Sequence, residues 1–341
     1  MADVQTAAAT SAEPLVTVAG LSRTFDVSKP WLNRVIEGEE RKLLKATQDV
    51  SLTIAPRETF ALVGESGSGK STVAKMLVGL LPPTSGEVTI HGTSMWPRAG
   101  ADDIRALRRR IQMIFQDPFA SLNPRWRVGR IIADPIRAFG LAASTEEIDA
   151  QVADLLTTVG LSPTDADKFP HEFSGGQRQR ICIARALSSK PEFLVCDEPT
   201  SALDVSVQAQ ILNLMRDLQD EFGLTYLFIS HNLAVVRHMA TRIGVMYLGR
   251  IVEIAPSRTL FAAPQHPYTR MLLDAVPDLN MSGRQRPQLE GEIPNPISPP
   301  SGCAFHPRCP LANDRCKAEI PQSLPAGETL VACHAVEEGR A

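Results

Sequence analysis

Gly64-Glu65-Ser66-Gly67-Ser68-Gly69-Lys70-Ser71 lies between an apolar run and a stretch of helical period. It fits G-x-x-x-x-G-K-[ST], the phosphate-binding P-loop pattern. Small residues let backbone N–H groups close around phosphate oxygens. Before it, Thr59-Phe60-Ala61-Leu62-Val63 has the length of a buried strand. After it, from Thr72, the apolar positions Val73, Leu77, Leu80 and Leu81 share one helical face. The glycines therefore stand between a strand and a helix, whose N-terminus adds unpaired donors and a favourable dipole. In this pattern Lys70 reaches the β- and γ-phosphates of a nucleotide and the Ser71 hydroxyl ligates Mg²⁺.

The bulk properties narrow the classes. At 341 residues the chain is long for one core, and two or three structural units are expected. A formal net charge of -3 gives no basic footprint for nucleic acid. No apolar run approaches the roughly 18 residues of a membrane span. The first residues, Met1 to Ala12, lack both a basic start and an apolar stretch, so they read as a disordered tail and not a secretory signal. The expectation is a soluble cytoplasmic protein that can dock on a membrane protein. Of the six cysteines, Cys182 and Cys196 sit singly in apolar segments and read as buried thiols. Cys303, Cys309, Cys316 and Cys333 gather near the end, and in a cytosolic protein such a group suggests metal binding sooner than disulfides.

Along the chain, Leu15 to Phe25 reads as a strand whose alternation is broken at Gly20. Phe25 is either a base-stacking aromatic or a plain core residue, and without further context the core reading is favoured. Lys29 to Arg41 reads as an inserted loop, and Val50–Ile54, Thr59–Val63, Glu87–His91 and Ile111–Phe115 as strands, the last ending at Gln116. Asp102 to Arg110 is a charged helical piece. From about Val128 to Leu187 helical spacing dominates, in Ile131, Pro135 and Ile136 and again in Val152, Leu155, Leu156 and Val159. Inside it, Phe173-Ser174-Gly175-Gly176-Gln177 leads into a further helix, a second set of glycines at a helix N-terminus and so a second potential anion site. The strand Phe193–Cys196 ends in Asp197-Glu198, either a solvated pair of carboxylates or a Mg²⁺ ligand followed by a residue free to polarise water. Leu224–Ser230 is a strand ending at His231, weak evidence taken alone. Strand–helix alternation favours a parallel sheet, whose ligands sit at the C-terminal ends of strands. Near Arg250 this rhythm stops and proline becomes frequent, notably from Ile293 to Pro300, which marks an accessory segment.

Together these pieces resemble the nucleotide-binding subunit of an ATP-binding cassette (ABC) transporter. Gly64–Ser71 is similar to Walker A, Gln116 to the Q-loop, Phe173–Gln177 to the signature motif and Phe193–Asp197 to Walker B, with Glu198 after it. Ser201-Ala202-Leu203-Asp204 is similar to the D-loop and His231 to the H-loop. The resemblance promotes Phe25 as the aromatic that stacks on adenine, with Trp31 as rival. A narrower resemblance is to the oligopeptide/dipeptide importer branch. It rests on Gln116–Arg125, on His266-Pro267-Tyr268-Thr269, and on Pro299-Pro300-Ser301-Gly302-Cys303 followed by Arg308-Cys309-Pro310. One departure is Arg57, where related ATPases usually carry Gly in the turn before the Walker A strand.

The resemblance implies an α/β fold: a P-loop NTPase (RecA-like) core, an antiparallel β subdomain, an α-helical signature subdomain at about 117–187 and a Cys-containing C-terminal extension. It divides the chain into a tail, 1–13, a nucleotide-binding domain, 14–250, and an extension, 251–341. It implies ATP and Mg²⁺ as cofactors, with Gly64, Glu65, Ser66, Gly67, Ser68, Gly69, Lys70, Ser71 and Thr72 around the phosphates. Ser71, Gln116 and Asp197 hold the metal, Glu198 orients or deprotonates the attacking water, His231 steadies the γ-phosphate, and Lys70 carries phosphate charge. In the family, cassettes pair head to tail, so Ser174, Gly175, Gly176, Gln177 and Asp204 serve a composite site with a second ATPase subunit, a heterodimer being favoured. Two transmembrane permease subunits and an extracytoplasmic substrate-binding protein complete the implied assembly, which places the chain peripherally on the cytoplasmic face of the inner membrane.

The tail spacing Cys303-x₅-Cys309-x₆-Cys316 is too open for the usual zinc ribbon, and four thiolates suit an iron–sulfur cluster. Importer ATPases of the similar branch can carry a [4Fe–4S] cluster here; zinc and free structural thiols are the alternatives. His306 and His334 are possible substitute ligands or ordinary surface histidines. The rival functions are import of nickel, a glycoconjugate or another small solute by the same machinery, and a soluble ABC ATPase in translation or DNA repair. One cassette in the chain and the balanced charge weigh against the last.

Overall fold

The structure, a computed structural model, describes residues 13–38, 40–96, 100–275 and 294–341. The expected tail over residues 1–13 lies outside the described residues apart from Glu13, as does Ile293. The first six strands are β1 (Val16–Asp26), β2 (Leu43–Ile54), β3 (Thr59–Val63), β4 (Ser85–Ile90), β5 (Thr93–Trp96) and β6 (Ile111–Ile114). The rest are β7 (Phe193–Asp197), β8 (Thr225–Ile229), β9 (Arg242–Tyr247), β10 (Arg250–Pro256), β11 (Leu324–Ala326) and β12 (Thr329–Val331).

Two sheets form. A four-stranded antiparallel sheet has the order β2-β1-β4-β5. An eight-stranded sheet has the order β11-β12-β10-β9-β3-β8-β7-β6. Its five strands from β9 to β6 are parallel, and β10, β12 and β11 continue it antiparallel at one edge. Every residue of β3, β7 and β8 is buried, as strands covered on both faces must be, which explains their unbroken apolar runs. One core packs the helix Lys70–Leu77 and the antiparallel sheet against Phe60, Leu62 and Ile229. A second fills the space under the helices Val128–Phe139, Thr145–Thr158 and Gly175–Leu187. The residues after β10 pack on β3, β9 and β10 in a third, in which Tyr247, Tyr268 and Phe305 meet with ring centroids 4.6–5.5 Å apart.

Two local expectations change. The helix after the glycines ends at Leu77, so Leu80 and Leu81, read as part of its face, lie past its end. Gly79 at φ +74° reverses the chain, and the Leu80 and Leu81 N–H groups return to the Lys75 carbonyl, a glycine-terminated helix end. Leu80 is thereby left 60% exposed. The segment read as a loop, Lys29 to Arg41, contains the helix Trp31–Glu37. Its seven residues are too few to show a period, but Pro30 before it and left-handed Gly38 after it are ordinary helix punctuation.

Candidate active site

The five parallel strands deliver their C-terminal ends to one edge, where open α/β sheets bind ligands. The loop Gly64–Gly69 leaves β3, Gln116 follows β6, Asp197 ends β7 with Glu198 behind it, and His231 follows β8. The parallel register sets Asp197 beside Ile229 and Ile229 beside Leu62, so the acidic pair stands next to the start of the glycine loop.

A cavity of about 660 Å³ opens at this edge. Ser66, Gly67, Gly69, Lys70, Ser71 and Thr72 of the glycine loop line it, together with Gln116, Glu198 and His231. Phe25 lines it too, with the Arg23 guanidinium 4.7 Å from the ring centroid. Trp31 does not line it and is 69% exposed on its short helix. Gly69 is required on steric grounds: at φ +101°, a Cβ there would lie 2.3 Å from the Ala46 carbonyl oxygen.

The polar groups are tightly connected. Lys70 Nζ donates to the carbonyls of Gly64 and Glu65, each at 2.8 Å, and to Ser68 Oγ at 3.2 Å. Burial holds its pKa below the ordinary lysine value, against the opposing pull of Glu198, Asp197 and Glu65. Ser71 Oγ donates to Asp197 Oδ1 at 3.0 Å. Burial raises the Asp197 pKa, and the Ser71 hydrogen bond partly offsets this. A cation beside the Ser71–Asp197 pair would favour the ionised carboxylate. Glu198 is gripped from two sides: Gln116 Nε2 donates to Oε2 at 3.1 Å, and His231 Nδ1 lies 3.1 Å from Oε1. The Glu198 backbone sits at φ +49°, an unusual conformation for a side-chain-bearing residue, held by its N–H donating to the Ile229 carbonyl.

The second glycine set lies elsewhere. Ser174 caps the helix Gly175–Leu187 by a reciprocal box: Ser174 Oγ accepts from the Gln177 N–H, and Gln177 Oε1 accepts from the Ser174 N–H. A Cβ on Gly176 would stand 2.4 Å from Val207 Cγ1, so glycine permits the close approach of the helix Val205–Phe222. Asp204 occupies the N-cap position of that second helix. None of Ser174, Gly175, Gly176, Gln177 or Asp204 lines the cavity. Lys45, Ala46, Leu248, Gly249 and Pro296 do line it without having been singled out in the sequence. They come from strand ends and from a proline-rich turn, and no motif marks them.

In the tail, Cys303, Cys309, Cys316 and Cys333 are free thiols. Burial pushes Cys303 up to about 11, and its three companions add like charge. Cys309 and Cys333 are also raised by burial. Four thiols are suitable donors, yet among the described residues no three His, Cys, Asp or Glu side chains converge to hold a metal ion. His334 is 3% exposed and so is not an ordinary surface residue; it heads the short helix His334–Glu337, and its Nε2 lies 3.1 Å from the Glu319 carbonyl. Among the described residues no helix is long and apolar enough to cross a membrane.

Comparison with known proteins agrees with this geometry. The ABC transporter family matches residues 47–201, and the C-terminal region of the oligopeptide/dipeptide transporter family matches residues 252–316. The chain is 50% identical over 327 residues to a probable peptide ABC transporter ATP-binding protein of Sinorhizobium fredii, covering 94% of this chain and 90% of that one. It is 46% identical to the di/tripeptide transport ATP-binding protein DppF of Pseudomonas aeruginosa, covering 96% of this chain and 99% of the relative. Among solved structures, a dimeric ATP-binding cassette in a post-hydrolysis state bound to ADP and Pi superposes with a TM-score of 0.61 at 28% identity. That match covers 71% of this chain and 99% of the other. The chain therefore belongs to the family of ATP-binding subunits of oligopeptide/dipeptide ABC transporters, an ATP-hydrolysing cassette with the branch's C-terminal region attached.

Proposed function

We propose that the chain hydrolyses ATP to drive uptake of di- and oligopeptides through separate permease subunits, bound peripherally on the cytoplasmic face of the membrane. The peptide cargo follows the names of its relatives, several of which are peptide or di/tripeptide transport ATP-binding proteins. One observation carries the site reading: Lys70, Ser71, Gln116, Glu198 and His231 line one cavity together with Phe25, and Ser71 hydrogen-bonds Asp197 behind it, while Ser174–Gln177 do not line it.

Lys70 meets the β- and γ-phosphates, and Phe25 stacks on the base. Ser71, Asp197 and Gln116 hold Mg²⁺, which when bound neutralises phosphate charge. Glu198 is aimed by its two neighbours to orient the attacking water and accept its proton, and His231 steadies the γ-phosphate. Phosphoryl transfer needs such positioning and charge stabilisation more than covalent help. Ser174, Gly175, Gly176 and Gln177, with Asp204 beside them, serve a nucleotide held by a second ATPase subunit; a non-identical partner is our preferred reading. The dimeric form of the similar solved cassette supports pairing.

The test is isolation from membranes followed by transport. Co-purification with two permease subunits, and ATP-dependent uptake of a labelled dipeptide or tripeptide into vesicles, is the expected result. Co-purification with ribosomes or DNA, or uptake of nickel but not peptide, would overturn it.

We further propose that the four tail thiols take up a [4Fe–4S] cluster, with zinc as the alternative. Their donor chemistry supports this, as does the pairing of two of their backbones, where the Cys303 N–H donates to the Cys316 carbonyl at 2.8 Å. Anaerobic purification should give about four irons and four sulfides per chain for a cubane cluster; a colourless protein holding stoichiometric zinc would reject it.

A further inference from the structure

Glu65, the second residue of the glycine loop, is held by groups from the far end of the chain. Its N–H donates to the Tyr268 hydroxyl at 3.0 Å. Its carboxylate takes a two-pronged hydrogen bond from Arg308: Nη1 to Oε2 at 2.9 Å and Nη2 to Oε1 at 3.1 Å. Its carbonyl accepts from Lys70 Nζ. Arg308 also reaches the Tyr247 hydroxyl at 3.5 Å, and its side chain is only 2% exposed. Tyr247, Tyr268 and Phe305 wall this arrangement, with the guanidinium 5.9 Å from the Tyr247 ring centroid and 6.0 Å from that of Phe305.

Two physical consequences follow. A planar bidentate pair fixes direction as well as distance, so the loop residue is oriented by the extension and not by the cassette alone. The pair also neutralises a carboxylate in the loop that carries Lys70. Glu65 is among the charges that act on that lysine, and Arg308 in turn has its pKa raised, chiefly by the Glu65 hydrogen bonds. Without Arg308, a half-buried negative charge would remain in the loop that must receive a polyanion.

We propose that Arg308 and Tyr268 are positioning residues for nucleotide binding: the C-terminal extension clamps Glu65, setting the loop's shape and cancelling its charge. This rests on the reading of the cavity as the nucleotide site. Neither residue lines the cavity; both act through Glu65.

The experiment measures ATP affinity of the full chain by displacement of a fluorescent nucleotide, alongside hydrolysis and thermal unfolding. Loss of the guanidinium in Arg308→Ala is expected to weaken ATP binding about 10-fold while kcat at saturating ATP changes by less than about twofold, a ground-state binding effect. Arg308→Lys keeps the charge with poorer geometry and should lose about threefold. Adding Glu65→Gln to Arg308→Ala removes the orphaned charge and should restore most of the affinity, which a merely structural role would not do. Tyr268→Phe keeps the ring and removes only the acceptor, so it tests the clamp even if Arg308→Ala does not fold; a loss of about threefold is expected. Wild-type affinity in Tyr268→Phe and Arg308→Lys, or a double variant as weak as Arg308→Ala, overturns the proposal. Failure of the unaltered chain to bind ATP would instead remove the nucleotide reading beneath it.

Discussion

Three residues carry chemistry that their type alone does not announce. Glu198 stands in the left-handed region at φ +49°, where its carboxylate meets both Gln116 and His231. Arg57 also stands there, at φ +61°, in the turn where the resembling family usually has glycine. Its N–H donates to Thr225 Oγ1 and its carbonyl accepts from Gln219 Nε2, so the backbone is pinned in a conformation that costs an L-residue roughly 1–2 kcal/mol. Glycine would relieve that strain but enlarge the unfolded ensemble by about 0.5–1 kcal/mol. Arg57→Gly is therefore expected to leave the melting temperature unchanged or raise it by up to about 3 °C; a fall of several degrees in calorimetry would contradict this account. His266 is the third. Its Nδ1 accepts from the Tyr268 N–H, its own N–H donates to Glu253, and burial lowers its pKa to about 3. The folded state thus keeps it neutral where the unfolded chain protonates it near 6.5, so stability falls as pH drops below about 6.5, by roughly 2 kcal/mol at pH 5. His266→Asn retains a capping acceptor without the titration. Its unfolding midpoint should decline less between pH 7 and pH 5 than that of the unaltered chain, and equal slopes would refute the assignment.

At the scale of elements, what could be read from sequence follows how locally each element is specified. β3, β7 and β8 were legible because strands buried on both faces write unbroken apolar runs, and each ends in a residue pattern with its own meaning. The short helix Trp31–Glu37 and the three-residue strands β11 and β12 were not, since neither is long enough to show a period. The helix Gly175–Leu187 shows the limit of motif reading. Its capping box is written in the sequence, but the closeness of Val207 to Gly176 is a fact of tertiary packing. A methyl at position 176 must push the helix Val205–Phe222 or tilt its own helix start. On the proposal that the affected surface serves a second subunit's nucleotide, Gly176→Ala is expected to bind ATP within about twofold of the unaltered chain and to lose at least about tenfold in hydrolysis by the assembled complex. Weakened ATP binding with normal turnover would place the motif at its own chain's site instead.

At the scale of the whole molecule, two cooperating regions meet at the glycine loop. The residues at this edge were legible as a set because parallel strands bring Gly64–Ser71, Gln116, Asp197-Glu198 and His231 together whatever the loops between them do. The contribution of the extension was not. Tyr268 and Arg308 lie 203 and 243 residues from Glu65 in sequence, and no spacing rule links a buried arginine to a distant loop. The same strand ends leave Glu198 as the carboxylate held by two partners beside Lys70, Ser71 and Thr72, so the account as a whole depends on it. Its most direct test is Glu198→Gln in the transporter assembled with its partners, measured for ATP retention and steady-state hydrolysis. The predicted result is retained ATP with turnover reduced roughly a hundredfold to a thousandfold. Near-normal turnover would contradict it.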